Sequence, residues 1–369
     1  MKTLNVLVFF LINLVTACSA QNASTWNLSP DLKDGWKIAS PASVGINEGE
    51  LGNMLQMMGN RLSRDFRAVT VSKDGKLVVE EYFNSFWRNN INDIRSAGKS
   101  ITAMLAGVAM DKGLLKSTDK VVSFFPEYKN IKNPSTEKSA ITVADLLVMS
   151  PGLASDDYQR NSPGLEEYMT DTQDYLKFVL DLPMDFKTGE RWAYSSAVAF
   201  LLGAIVENTS GQTLEDFARK NLFGPMGIKD FFWEKSPKGR NTGMGNIYFR
   251  ARDLAKLGQV MLDNGQWNGQ QIMSASFVKK SFEKRFDISD NDRWAHGYGY
   301  MWYLAKINIE GQTLDYYYAS GNGGNKIFII PKLNMVVTTL SSAYGTGYGH
   351  RRSHDCLEAI LRASVGNDK

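Results

Sequence analysis

The chain has 369 residues, 43% of them hydrophobic and 22% charged, with a net charge of only +3. That length exceeds what one hydrophobic core serves and points to two lobes, while the apolar content excludes extended disorder. Charges of both signs are mixed along the sequence, which excludes the footprint of a nucleic-acid-binding protein.

Residues 1–17 read as an export signal. Lys2 gives a positive start, and Val6 to Val15 form an apolar stretch too short to span a bilayer. The end of this stretch, Leu14-Val-Thr-Ala-Cys18, resembles the bacterial lipobox. The resemblance implies cleavage before Cys18, lipidation of that cysteine, and a periplasmic or outer-membrane-attached protein. An ordinary cleavage after Ala20, with secretion, is the alternative. Residues 18–40 are polar and read as a tether to a folded body over 41–369. Cys356 is then the single cysteine left in that body, so no disulfide framework forms.

A helix is expected from Asn47, with Leu51, Met54, Leu55 and Met58 on one side. Ala68–Ser72 and Lys76–Phe83 read as strands joined at Asp74-Gly75, a hairpin turn signal. Ile101, Met104, Leu105 and Val108 then recur at helical spacing. Further on, Thr142 caps a short helix over 143–149 that Ser150-Pro-Gly stops, and an apolar helix spans Ala197–Glu207. Strand-like runs return at 298–304, 326–330 and 335–340, before a last helix that starts near Ser353. Cys356 in that helix reads as a small buried apolar residue. Gly345 to Gly349 read as a flexible loop, and His350 and His354 as solvated residues rather than zinc ligands. Strands thus flank a helical middle: a sheet lobe over 41–100 and 236–369, with a mostly helical lobe over 101–235 inserted in it.

Three stretches carry chemistry. Ser96-Ala-Gly-Lys99 opens a helix, so the hydroxyl sits where backbone N–H groups point outward, and the amine three residues on shares its face. A serine is a weak nucleophile until a base takes its proton, and a desolvated lysine amine is such a base. Tyr194-Ser-Ser196 lies in a loop before the apolar helix, where a phenol can relay a proton to or from lysine. Ala319-Ser-Gly-Asn-Gly-Gly-Asn-Lys runs into a strand, and its glycines let a ligand approach the backbone and its N–H groups. Gly98-Lys-Ser does not complete a phosphate-binding loop, because Asp93 stands where that loop needs its first glycine.

In these motifs the chain resembles the serine hydrolases of the class C β-lactamase and penicillin-binding-protein superfamily, with their related esterases and 6-aminohexanoate-dimer hydrolases. The family's Ser-x-x-Lys, Tyr-x-Asn and Lys-Thr-Gly motifs fall in order on Ser96–Lys99, Tyr194–Ser196 and Asn322-Gly323-Gly324. Leu146-Leu-Val-Met-Ser-Pro-Gly-Leu, Phe223-Gly-Pro-Met-Gly-Ile and Ala251-Arg-Asp-Leu-Ala are similar to supporting segments of the same family. The resemblance implies an α+β fold, an α/β sandwich whose antiparallel sheet is flanked by the first and last helices. It also implies an acyl-enzyme on Ser96, with Lys99 and Tyr194 as the proton-transfer pair and no metal or cofactor. The oxyanion hole would be formed by the N–H groups of Ser96 and Asn325, and Ser196, Asn322, Gly323 and Gly324 would meet the substrate.

Two departures bear on that substrate. Ser196 stands where class C β-lactamases have asparagine, and Asn322 replaces the lysine that opens the third motif. Both favour an ester or small amide over a β-lactam or a peptide carboxylate, unless Lys326, Arg351 or Arg352 supplies the missing charge. A β-lactamase, a D,D-peptidase or D-aminopeptidase, and a catalytically silent ligand binder are the alternatives.

Overall fold

A computed structural model describes residues 27–60 and 63–366; the export signal and Cys18 lie outside the described residues. Asn47 caps helix α1 (Glu48–Gly59) by accepting from the N–H groups of Gly49 and Glu50. Before it, β1 (Lys37–Ile38) pairs with the first hairpin, β2 (Phe66–Lys73) and β3 (Lys76–Tyr82). β4 (Asn92–Asp93) leads through a 3-10 turn, Arg95–Ala97, into α2 (Gly98–Asp111).

Helices then follow without main-sheet strands: α3 (Thr136–Ala140), α4 (Val143–Leu147), α5 (Glu166–Thr170), α6 (Tyr175–Asp181), α7 (Ser196–Ser210) and α8 (Leu214–Ala218). Thr142 and Asp145 form the capping box of α4, and Gly211, at φ 66°, ends α7. β5 (Phe231–Trp233), just inside the end of the stretch expected to be helical, pairs with β6 (Ile247–Phe249), which pairs with β4. The chain continues through α9 (Ala251–Leu262), the small hairpin β7 (Gln266–Trp267) and β8 (Gln270–Gln271), and α10 (Ala275–Ser281). Last come β9 (Ala295–Tyr298), β10 (Tyr303–Ile309), β11 (Gln312–Gly321), β12 (Asn325–Ile330), β13 (Met335–Ser341) and α11 (Gly347–Val365).

The main sheet runs β1-β3-β2-β13-β12-β11-β10-β9 and is antiparallel except for β1 against β3. Every residue of β12 and β13 is buried, so both faces of the sheet centre are covered. Alternation along β12 shows by what. Ile327 meets α9 at Gly258, where a Cβ would come within 2.7 Å of it. Phe328, pointing the other way, packs on His354 of α11 with ring centroids 5.1 Å apart. α1 joins α11 on that second face: Cys356 Sγ lies 3.9 Å from Met54 Sδ.

The structure departs from the expected elements in three places. The tether reading ends early, because Trp36 is buried and Asp34 binds Arg252 at 2.6 Å, so the body begins before residue 41. The strand expected over 298–304 breaks between β9 and β10. There Met301, at φ 56°, donates its N–H to Leu147 and accepts from Ser100 Oγ, which ties the break to α4 and α2. α11 starts at Gly347, not near Ser353, and His354 is buried and stacked on Trp294 at 4.2 Å rather than solvated.

Candidate active site

Ser96 stands in the turn before α2, and three glycines let backbone close around it. A Cβ on Gly98 would meet Gly245 at 3.0 Å, one on Gly245 would meet the Arg95 carbonyl oxygen at 2.7 Å, and one on Gly321 would meet the Ile94 carbonyl oxygen at 1.9 Å. The residue before the serine, Arg95, is held at φ 51°, a sparsely populated region for a side-chain-bearing residue, with its N–H donating to Asp93 Oδ1 at 2.8 Å. Hydroxyls of α2 fix the neighbouring backbone: Thr102 donates to Gly243 at 2.6 Å and Ser100 to Met301 at 2.5 Å.

Lys99 is 2% exposed, with Nζ 3.0 Å from Ser96 Oγ and donating to the Met244 carbonyl at 2.9 Å. Tyr194 comes from the segment that leads into α7, where Ser195 caps the helix by accepting from the Val198 N–H at 3.1 Å. The Tyr194 phenol faces the Ser96 and Tyr303 hydroxyls, and its ring lies 5.0 Å from Lys99 Nζ. The hydroxyl, amine and phenol expected from distant segments therefore meet in one place.

Burial lowers Lys99 below the usual amine range, against the pull of the nearby Glu166 and Asp157 carboxylates. Burial also pushes the Tyr194 phenol up, while the facing hydroxyls of Ser96 and Tyr303 oppose the rise. An aromatic wall surrounds the phenol. Half-exposed Tyr158 stacks on Tyr194 with centroids 5.2 Å apart, and Trp192 packs 6.0 Å from Tyr194 and 5.2 Å from Tyr298.

The other expected contacts are corrected. Asn325 is fully buried in the ladder opposite Gly321, and its side chain bonds Asn92, Asn322 and the Ser341 N–H, which sets the residue inside the sheet. Exposed Asn322, which follows Gly321, stands at the cleft end of β11 instead. Gly323 and Gly324 are buried; a Cβ there would strike Tyr344 at 3.0 Å and the Gly349 carbonyl at 2.2 Å, so these glycines seat the loop against the start of α11 rather than a substrate. Ser196 is buried too, with its hydroxyl donating to Glu166 at 2.6 Å.

Of the cations considered for the third motif, Arg352 is bound to Asp65 and Ser341, whereas Arg351 is exposed. Lys326 is buried and pushed down to about 7 by that burial, with Nζ 2.7 Å from Ser320 Oγ, one residue from Gly321. Asp157, Glu166 and Tyr158 escaped the sequence reading because they stand at no fixed spacing from Ser96 and belong to no recognised motif. A polar cavity of about 590 Å³ lies between Asp34, Arg250 and Gly227, but none of Ser96, Lys99 and Tyr194 lines it.

The chain matches the Beta-lactamase family over residues 62–357. It is 23% identical to the 6-aminohexanoate-dimer hydrolase of Paenarthrobacter ureafaciens over 323 residues, covering 82% of this chain and 80% of that one. Among solved structures it is similar to a penicillin-binding protein homolog from Caulobacter crescentus, with a TM-score of 0.68 and 16% identity over 92% of this chain and 100% of that one. It is also similar to a family VIII carboxylesterase, with a TM-score of 0.64 and 18% identity over 85% of this chain and 97% of that one. These two likenesses are of fold. With a match that spans β2 to β13, the helical middle and the Ser96 turn, the chain belongs to the beta-lactamase family, whose hydrolases share this architecture.

Proposed function

We propose that the protein is a serine hydrolase that cleaves an ester or small amide through an acyl-enzyme on Ser96. The observation that carries the reading is the meeting of Ser96 with Lys99 Nζ at 3.0 Å and with the Tyr194 phenol. Lys99 and Tyr194 relieve the hydroxyl of its proton as Oγ attacks the carbonyl, then return a proton to the leaving group. The oxyanion is held by the N–H of Ser96 and that of Asn322, in place of Asn325. One such donor is worth about 3 kcal/mol of barrier. Water then attacks the acyl-enzyme with the same pair as base.

The preference for an ester or small amide rests on Ser196, whose hydroxyl is taken by Glu166, and on Asn322, which offers the substrate no cation. A second reading, a peptidase for substrates bearing a carboxylate, is favoured by Lys326 and half-buried Ser320 beside the end of β11. A hydrolysis screen across short esters, D-amino-acid amides, linear amide dimers and cephalosporins separates them. Ester or amide-dimer turnover that exceeds that of the others, and vanishes in Ser96→Ala, is the expected result. Faster turnover of D-amino-acid amides or cephalosporins would move the assignment to the second reading.

A further inference from the structure

A pair of carboxylates stands behind Lys99 and Tyr194 without a part in the reaction just described. Ser196 opens α7; its N–H donates to Asp157 Oδ2 at 2.7 Å and its hydroxyl to Glu166 Oε2 at 2.6 Å. The acids are also tied to each other, since the Glu166 N–H donates to Asp157 Oδ1 at 3.2 Å. The Asp157 N–H in turn donates to the carbonyl of Tyr194 at 2.7 Å. Only Ser195 separates Tyr194 from Ser196, so one short piece of backbone carries both the phenol and the clamp.

We infer that Glu166 and Asp157 are positioning residues that make the Lys99 amine, rather than a Tyr194 phenolate, the group that takes the proton of Ser96. The inference rests on the hydrolase reading of the site. The proton can leave Ser96 in two ways: onto a neutral amine, which becomes an ammonium, or onto a phenolate formed beforehand. Fixed negative charge favours the first product and opposes the second reactant. Both acids act this way: they raise Lys99 against the lowering by burial, and they raise Tyr194 in the same direction as its burial.

The groups that face Lys99 agree. Its own turn offers the Ser96 hydroxyl, the 243–247 segment the Met244 carbonyl, the Tyr194 segment a phenol, and the 151–166 loop the two acids. Around Tyr194 stand the neutral phenols of Tyr158, Tyr298 and Tyr303. Arg95, the cation nearest in sequence to Ser96, is paired with Asp93 at 2.9 Å. Asp93, raised to about 6 chiefly by burial, also feels Glu234 and Glu166. Ser196 gains a role here that its place in the motif did not announce: it holds the acids that set the charge on the base.

Glu166→Gln keeps an oxygen to accept from Ser196 and removes the charge. In the full chain labelled with 13Cε-lysine, the Lys99 titration midpoint, assigned by its absence in Lys99→Met, falls by about 1 pH unit in Glu166→Gln. With less pull toward the ammonium, the neutral amine persists to lower pH, so the acid limb of kcat/KM moves down with it. Asp157→Asn shifts both in the same direction, and Tyr194→Phe slows the reaction but leaves the acid limb where it is. Because the limb belongs to the coupled Ser96–Lys99–Tyr194 network, the NMR midpoint is read beside it. An active wild type whose Lys99 midpoint and acid limb both stay put in Glu166→Gln and Asp157→Asn overturns the inference, as does an acid limb that disappears in Tyr194→Phe. A wild type that turns over nothing, while Lys99 still shifts in Glu166→Gln, sinks the hydrolase reading and leaves the electrostatic coupling standing.

Discussion

Lys99→Met lowers kcat/KM by about 10⁴-fold and leaves the protein folded. Methionine fills nearly the volume of the lysine stem at a position only 2% exposed, and its thioether cannot take a proton. The amine within 3.0 Å of Ser96 Oγ is lost, so the hydroxyl must shed its proton to a phenol that burial and two carboxylates hold neutral. The stability cost is small because a desolvated polar amine leaves along with its partners' benefit. Steady-state kinetics on the best ester of the screen, with a thermal melt alongside, check both halves. A variant that keeps a tenth of wild-type activity would show that Lys99 is not the base.

Gly321→Ala is the second large effect, and it acts through backbone. A Cβ at this position falls 1.9 Å from the Ile94 carbonyl oxygen and 3.1 Å from the Ala97 N–H. That carbonyl closes the 3-10 turn by accepting from Ala97 at 3.3 Å, and Ile94 is pinned from the other side by its N–H to Ile247 at 3.0 Å. The end of β11 or the nucleophile turn must move by an ångström or more. Overpacking of this kind costs about 1–3 kcal/mol of stability, and misplacing a reacting group by about 1 Å costs on the order of 10²-fold in rate. Gly52→Ala is the control: its Cβ meets nothing within 4 Å in the middle of α1, so it leaves activity unchanged and adds up to about 1 kcal/mol of stability. Denaturant unfolding and kcat for the two variants check the contrast, and full activity in Gly321→Ala would mean that the turn tolerates displacement.

The parts of this molecule that were legible in sequence are those set by local chemistry. Asn47, Thr142 and Gly211 mark helix ends through bonds to their own neighbours, and the β2–β3 hairpin follows from a turn whose residues, Asp74 and Gly75, both adopt positive φ. Ser96 and Lys99 were readable as a pair because three residues of helix bring them onto one face. Tyr194 was readable only through a family likeness, since nothing local says that a loop almost a hundred residues on returns to Ser96.

What stayed hidden depends on packing between distant segments. Gly323 and Gly324 read as a surface for substrate, yet the close approach they permit is to α11. Ser196 read as a substrate contact, yet Glu166, thirty residues earlier, takes its hydroxyl. His354 read as solvated because its neighbours Arg351 and Arg352 are charged; helix periodicity turns it inward onto Trp294 and Phe328. The register of β11 against β12 decides which N–H reaches the cleft. A loop of consecutive glycines between Gly321 and Asn325 leaves that register open until the ladder is seen.

Mass spectrometry of the protein after exposure to a fluorophosphonate tests the nucleophile most directly. One covalent adduct on the peptide that contains Ser96, absent in Ser96→Ala and slow to form in Lys99→Met, is the predicted result. An adduct that survives in Ser96→Ala, or a wild type that takes no label and turns over nothing in the screen, would contradict it.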